Sequence, residues 1–436
     1  MVNIFKTSGN ITTFELIRGF FVSIFASMYL YLSWIGISYL WLNTLSALFA
    51  LYLLLDSNRR VWAYSGLFIG LLWFWWISMS FRLYGFAWAT PIGIILTAFT
   101  YALIFWLAAF ISDQIERRYR IPSLAIKAIF LLIASYIHPF GFDWFKPELM
   151  FVESYIGVEK WHFAIVLSAI GLSLYRGKPT YLIFILLAYN PIDTNNISKQ
   201  QMTTIDETEL VTTYISIEEK QDLSNLIPTI NLTKYKIDEA IRAEKKIIIF
   251  PESILPIFLN REQELLKVYR ELSHYITIVI GALHWDESVP RNSAYIFQNR
   301  EFKIADKVIL VPFGESNPLP DWMSNLVNKI FYDGAIDYKA SDKVSDYTID
   351  GRRYRSAICY EACSEKLYDG KPKNMIVLSN NGWFTPSIEP TMQRLLLQYY
   401  SRKYGTTIFH SINGSPSYII INGRVIVKKD NIGIFL

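Results

Sequence analysis

Two cysteines, Cys359 and Cys363, are all the thiol chemistry available in 436 residues. They are too few and too close together to form a disulfide framework for a chain this long. Such scarcity suits an oxidising compartment, where a stray thiol is a liability. Charge is sparse as well, at 18% of residues with a net of +4. No Lys/Arg-rich block stands out, so nothing argues for nucleic-acid binding. The five histidines, His138, His162, His274, His284 and His410, are scattered, and no Gly-rich phosphate loop is found. The expectation is an activity with no metal and no cofactor.

What is abundant is apolar surface, with 52% hydrophobic and 16% aromatic residues. That is too much for an ordinary soluble chain of this length. The excess is uneven, crowding the first 190 residues, so two domains are expected: a membrane domain over 1–190, a polar linker over 191–209 and a second domain over 210–436. A membrane helix needs about 20 mostly apolar residues. Gly19 to Leu55 holds two such spans with a break near Ser33 to Ser38. Further spans are expected at Val61 to Phe81, Thr90 to Ser112, Ile121 to Ile137, Trp161 to Tyr175 and Pro179 to Tyr189, about seven in all. The first is read as a retained helix, since Lys6 and Arg18 precede an apolar stretch without a clear small-residue cleavage site. Basic residues recur at every second loop, as Arg59 and Arg60, then Arg117, Arg118 and Arg120, then Arg176 and Lys178. These loops should face the cytoplasm, which puts the polar domain outside it.

Within that polar half, strand-like and helical runs alternate. Leu210 to Ile217, Lys246 to Phe250, Ile276 to Leu283 and Asn374 to Ser379 read as strands; Leu232 to Glu244, Arg261 to Tyr275 and Pro390 to Tyr404 read as helices. Hairpins are expected around Gln298-Asn299-Arg300 and Asn422-Gly423. Layered sheets and helices follow. Three residues flank apolar runs: Glu252 after Ile247 to Phe250, Lys307 beside Val308 to Val311, and Cys359 after Ser356 to Ile358. A thiol is mostly protonated at neutral pH, so a nucleophilic cysteine needs a base and a stabiliser for the oxyanion. Glu252 and Lys307 are of the types that supply them.

Pro251-Glu252-Ser253, Lys307 and Cys359-Tyr360-Glu361, in this order, resemble the Glu-Lys-Cys signature of the carbon-nitrogen hydrolase (nitrilase) superfamily. Val311-Pro-Phe-Gly-Glu315, Asn317-Pro318-Leu319 and Asn380-Asn381-Gly382-Trp383-Phe384 look like its membrane-bound branch, the apolipoprotein N-acyltransferases, and with the helices the resemblance covers essentially the whole chain. It implies a multi-pass α-helical membrane domain followed by an α/β, nitrilase-like αββα sandwich, in the bacterial inner membrane with the catalytic domain facing the periplasm. It also implies transfer of an acyl chain from a phospholipid, through a thioester on Cys359, to the α-amino group of a diacylglyceryl cysteine that begins an apolipoprotein. Glu252 would be the base and Lys307 the oxyanion partner.

Supporting roles fall to Glu315, Tyr360, Glu361 and Asn381. Glu315 and Glu361 either orient Lys307 or the thiol, or are plain structural acids. Trp383, Phe384 and Trp322 are candidate substrate-binding residues, the last within an apolar segment, Asn317 to Tyr338, that reads as a lid or as ordinary packing. Cys363 reads as a structural thiol.

Two departures from the branch stand out. The chain stops at Leu436 after a hairpin where the branch adds a membrane helix, so docking on the bilayer is expected to rest on the other helices. It also reads Thr385-Pro-Ser-Ile-Glu389-Pro-Thr-Met-Gln393 where the branch has Gly and a Gln-His pair. The same triad would serve a membrane-anchored amidase acting on a soluble amide. A non-catalytic transporter is a third reading, disfavoured by the near absence of charge within the spans.

Overall fold

The computed structural model describes residues 13–83, 85–192, 197–312, 314–315 and 338–427. Its contacts divide the chain into two units, one of Met1–Ile137 with Lys146–Pro191, the other of His138–Phe145 with Ile192–Leu436.

The first unit is helical: α1 (Thr13–Trp34), α2 (Leu40–Leu55), α3 (Arg59–Phe74), α4 (Thr90–Tyr119), α5 (Ser123–Ile133) and α6 (Lys160–Arg176). The break expected between Ser33 and Ser38 is the turn between α1 and α2. Four helical stretches are long and apolar enough to cross a membrane, Thr13–Trp34, Arg59–Arg82, Ala87–Tyr119 and Ser123–Gly141. The other three expected spans are shorter. Leu40–Leu55 has 16 residues, Lys160–Arg176 has 17, and Pro179–Ala188 is a 3₁₀ helix of 10. At about 2 Å rise per residue, that last one reaches only about 20 Å.

Between apolar helices in lipid, close packing and buried polar contacts replace the hydrophobic drive. The pair Gly66 and Gly70 on α3 shows this: a Cβ on Gly66 would lie 2.4 Å from the Tyr101 carbonyl oxygen, and one on Gly70 would lie 2.9 Å from Ala98 Cα. Only glycine lets α4 come so near. Ser23 donates to the Ser65 carbonyl at 2.9 Å, and Trp73 Nε1 to Ser27 Oγ at 3.0 Å.

The second unit contains α7 (Lys199–Glu207), β1 (Thr208–Leu210), α8 (Ile217–Gln221), α9 (Leu226–Arg242), β2 (Ile247–Ile249), β3 (Leu255–Phe258), α10 (Gln263–Leu272), β4 (Thr277–Asp286), β5 (Val289–Gln298) and β6 (Glu301–Asp306). It continues with β7 (Asp346–Ile349), β8 (Arg352–Ile358), β9 (Asn374–Asn380), α11 (Glu389–Tyr404), β10 (Thr407–Asn413), β11 (Tyr418–Ile421) and β12 (Arg424–Ile426). One six-stranded sheet has the order β1-β2-β4-β5-β6 with β3 also on β4; the other runs β12-β11-β10-β9-β8-β7. In the first, the parallel pairs of β1, β2, β3 and β4 lie on one side and the antiparallel β4-β5-β6 on the other; in the second, the parallel β8-β9-β10 is central with antiparallel pairs at both edges. Two hairpins turn on Asn299-Arg300 and Asn422-Gly423, all at φ between 51° and 80°. That is the left-handed pair a two-residue turn requires.

Alternation along the strands builds the layers. Ile247 and Ile249 join Val279, Ala294 and Ile296 in a cluster shared with Tyr354, Ile358, Ile376, Leu378 and Phe409 of the second sheet. Their neighbours Ile248, Phe250, Ile278, Ile280, Tyr295 and Phe297 face the other way, onto Ile237 of α9 and Leu266 and Tyr269 of α10. A strand buried on both faces reads as a continuous apolar run, as Ile247 to Phe250 does. With α11 against β10 and β11, the unit is helix, sheet, sheet, helix.

Some expectations shift. The strand expected over Leu210 to Ile217 is Thr208–Leu210, and Ser216 instead opens α8 through a capping box with Glu219. A second capping box, Ser198 with Gln201, starts α7 inside the stretch expected as a linker. Helix α9 starts at Leu226, six residues early, because Pro228 falls in its first turn, where its missing N–H costs nothing.

Candidate active site

The chemistry collects where strands end. Glu252 follows β2 in a turn whose next residue, Ser253, has φ +45°. That turn lies on Gly281 of β4, where a Cβ would come within 2.7 Å of backbone atoms of Pro251, Glu252 and Ser253. Lys307 directly follows β6. Cys359 directly follows β8 at φ +53°, an uncommon conformation for a side-chain-bearing residue, and opens a 3₁₀ turn, Cys359–Cys363.

Lys307 is 1% exposed, and its Nζ lies 2.8 Å from Glu315 Oε2, 2.9 Å from Glu315 Oε1 and 3.5 Å from Glu252 Oε1. Burial alone would push this ammonium down. The carboxylates of Glu315 and Glu252, with the Cys359 sulfur, outweigh it and hold Lys307 well above its ordinary value. Asn292 on β5 donates through Nδ2 to Glu252 Oε1 at 2.8 Å and to Glu315 Oε1 at 2.9 Å, fixing the two acids on either side of the lysine. Glu315 Oε2 also accepts from the Val311 N–H at 2.9 Å. Lys220 Nζ donates to the Glu252 carbonyl at 3.1 Å; burial pushes this second ammonium down to about 8, with Glu252 opposing.

The Cys359 thiol is pushed well up, by burial first and then by Glu252, Glu389 and Glu315, with Lys307 pulling the other way. A resting thiol in this site is therefore neutral and needs a base when substrate arrives. Gln393 Nε2, on α11, lies 3.9 Å from Cys359 Sγ and 3.4 Å from Ser379 Oγ. Ser379 Oγ is 2.7 Å from Nε2 of His410, a ring that burial pushes down to about 3 and so keeps neutral. Cys363 is fully buried and directs its Sγ at the Gln393 carbonyl, 3.9 Å away, as packing under α11.

Glu361 is a clasp. Its Oε2 accepts from the N–H groups of Val308 (2.6 Å) and Ile309 (3.1 Å), and its Oε1 from that of Ile358 (2.8 Å). One carboxyl thus joins the backbone after Lys307 to the backbone before Cys359. Burial pushes it up to about 7, against Lys307 and these N–H groups.

Tyr360 turns away from the thiol. Its ring stacks on Phe142 and Trp144 at 5.6 and 5.8 Å, and its hydroxyl donates to the Gly141 carbonyl and accepts from the Asp143 N–H. It anchors residues 138–145, which lie in sequence between α5 and α6.

Of the expected site residues, Glu252, Lys307, Glu315, Glu361 and Cys359 thus come together. Asn381 is buried just after β9 and donates to Ser415 Oγ at 3.2 Å, tying its turn to the loop after β10. Trp383 and Phe384 are half-buried beside it. Trp322 and most of the expected lid, residues 317–337, lie outside the described residues. Asn292, Lys220, Gln393 and Glu389 were not anticipated. Glu389 carried one signal, an acid in the segment that departs from the branch pattern.

Comparison with known proteins adds three findings. The family model for the apolipoprotein N-acyltransferase integral membrane domain matches residues 13–192. The apolipoprotein N-acyltransferase of Wolinella succinogenes is 37% identical over 402 residues, covering 92% of this chain and 94% of that protein; the one from Helicobacter pylori is 36% identical, covering 89% and 90%. Among solved structures, an amidase from Nesterenkonia sp. (12% identity, TM-score 0.37) covers 50% of this chain and 82% of its own, and a CN-hydrolase superfamily protein from Xanthomonas campestris (12%, 0.36) covers 50% and 83%.

Proposed function

This chain belongs to the apolipoprotein N-acyltransferase family, and from that premise we propose that it acylates the α-amino group of the diacylglyceryl cysteine at the start of apolipoproteins, taking the acyl chain from a phospholipid. The reaction is ping-pong. Glu252 takes the proton of Cys359, the thiolate attacks the phospholipid ester carbonyl, and Lys307 holds the oxyanion, with the backbone N–H after Cys359 as second donor. Collapse expels the lysophospholipid alkoxide, which Glu252 protonates. In the second half the amine attacks the thioester, and the amide leaves with the thiol restored. Glu315 and Asn292 keep Lys307 and Glu252 in register, and Glu361 holds the strand ends together.

The observation that carries this reading is the buried Glu252–Lys307–Glu315 cluster electrostatically coupled to a neutral thiol, in a chain whose residues 13–192 match the family model of an integral membrane domain. The loop arginines support an extracytoplasmic catalytic domain, in the periplasm for a bacterial inner-membrane protein, with residues 210–436 as its body. A soluble-amide hydrolase would use the same triad, but it would have no use for a membrane domain of this size. The test is mass spectrometry of a lipoprotein N-terminus from cells depleted of the protein. The amide-linked chain should vanish and return with the wild-type chain but not with Cys359→Ser. An unchanged N-terminus on depletion would overturn the reading.

A further inference from the structure

Glu389 is 2% exposed at the first turn of α11, and its Oε2 has no hydrogen-bond partner among the described residues. Four residues on, one turn along the same helix face, Gln393 reaches Cys359 Sγ through Nε2, while its own Oε1 is likewise buried and unpartnered. A third buried acceptor without a donor among the described residues, Asn292 Oδ1, belongs to the side chain that holds Glu252 and Glu315. Leaving such atoms unpaired carries a desolvation penalty that a bound donor would remove. The unmet need around this thiol is thus for donors, and an ammonium group presents three.

We propose that Glu389 is a second acid–base carboxyl of this site, which binds the α-ammonium group of the acceptor and takes one of its protons in the amine half-reaction, leaving Glu252 to serve the thiol. The inference rests on the acyl-transfer reading above. In the acyl-enzyme, R–NH₃⁺ gives one proton to the Glu389 carboxylate and becomes R–NH₂. The nitrogen lone pair attacks the thioester carbonyl and the N–C bond forms. Glu252 takes the second proton as the C–S bond breaks and passes it to the departing sulfur. The third hydrogen stays on the amide nitrogen. Product is an amide and a free Cys359 thiol, and Glu389 returns its proton to solvent.

The groups electrostatically coupled to Glu389 are Glu252 from the turn after β2, Cys359 from the end of β8 and Tyr418 from β11. Burial first, and then Glu252, pushes its carboxyl up to about 8. At neutral pH it therefore rests protonated and gives that proton up when the acceptor's positive charge enters beside it; an α-amino group titrates at about 8, so a proton then passes between ammonium and carboxylate at little cost. Two bases also answer a difficulty of a single-base mechanism: the same carboxylate would have to strip an ammonium and then take a second proton in the same half-reaction.

The two half-reactions can be read separately in the full-length chain in mixed micelles. Acyl-enzyme is loaded from phosphatidylethanolamine carrying a labelled acyl chain, then chased with a synthetic diacylglyceryl-cysteine peptide or with hydroxylamine, which is already unprotonated at neutral pH. Glu389→Gln should load within about threefold of wild type and pass the chain to the peptide about 10²-fold more slowly at pH 7. That deficit should shrink as pH rises and the peptide amine loses its proton unaided, and the hydroxylamine chase should stay at the wild-type rate. A wild-type peptide chase in Glu389→Gln, or a hydroxylamine chase slowed as much as the peptide chase, would overturn the proposal. Failure of the wild-type chain to load at all would instead overturn the acyl-transfer reading.

Discussion

Replacing Glu315 by Gln removes one of the two carboxylates that hold the buried Lys307 ammonium. At 2.8 Å and an effective dielectric constant of about 20, that contact is worth roughly 6 kcal/mol of attraction, against roughly 5 for Glu252 at 3.5 Å. Breaking a buried pair by removing one partner costs about 3–5 kcal/mol net, because the charge left behind stays buried. At about 2–4 °C per kcal/mol for a unit of this size, the thermal midpoint should fall by about 10 °C. Catalysis should suffer separately. The freed ammonium closes on Glu252, adding about 1 kcal/mol of attraction that weakens the pull of that carboxylate on the thiol proton, and Lys307 leaves the position from which it would meet an oxyanion. A displacement of about 1 Å costs about 10²-fold. Rapid-quench measurement of labelled acyl-enzyme, on protein kept well below its midpoint, reads this loss directly. Acyl-enzyme formation within twofold of wild type at an unchanged midpoint would refute the reasoning.

Gly281→Ala puts a methyl within 2.7 Å of the backbone around Glu252, so it should lower stability by about 1–3 kcal/mol and acyl-enzyme formation by about 10²-fold, checked by thermal melts and rapid quench. Stability should also fall as pH rises from 6.5 to 8. Glu361 and Glu389 rise from an ordinary 4.5 to about 7 and about 8 on folding, so the folded state holds protons that the unfolded state has released, and that advantage is lost as each ionises. The loss over this window is roughly 2 kcal/mol. His410, pushed down to about 3, acts in the opposite sense mainly below about 6.5, which is why the window starts there, and Lys220, pushed down to about 8, opposes by only about 0.4 kcal/mol near the upper end. Melts across these pH values check the sign, and a midpoint that rises would contradict it.

The parts legible from sequence are those set by local pattern. Ile247 to Phe250 is apolar at every position because the strand is buried on both faces, so its end, and Glu252, could be located. Asn422-Gly423 declares its turn through the left-handed conformations it tolerates. Cys359 stands out because a rare thiol closes an apolar run.

The rest depends on contacts between distant segments. Asn292 is an ordinary polar residue on a strand until the register of β5 against β4 and β6 brings it between Glu252 and Glu315. Gln393 and Glu389 matter only because α11 lays its first two turns against the Cys359–Cys363 turn that follows β8. Helix α7 was missed since its sequence, Lys199 to Glu207, is polar nearly all round and only its capping box marks it. The apolar character of the Pro179 stretch is legible from composition, whereas its 3₁₀ winding is not.

The central claim is that Cys359 carries the acyl chain. Incubating the full-length chain with phospholipid alone and mapping its peptides by mass spectrometry tests it most directly. The account predicts one acyl adduct, on the peptide containing Cys359, labile to neutral hydroxylamine, discharged by a diacylglyceryl-cysteine peptide and absent from Cys359→Ser. Formation of N-acylated peptide with no adduct on Cys359, or with the adduct on Cys363, would contradict it.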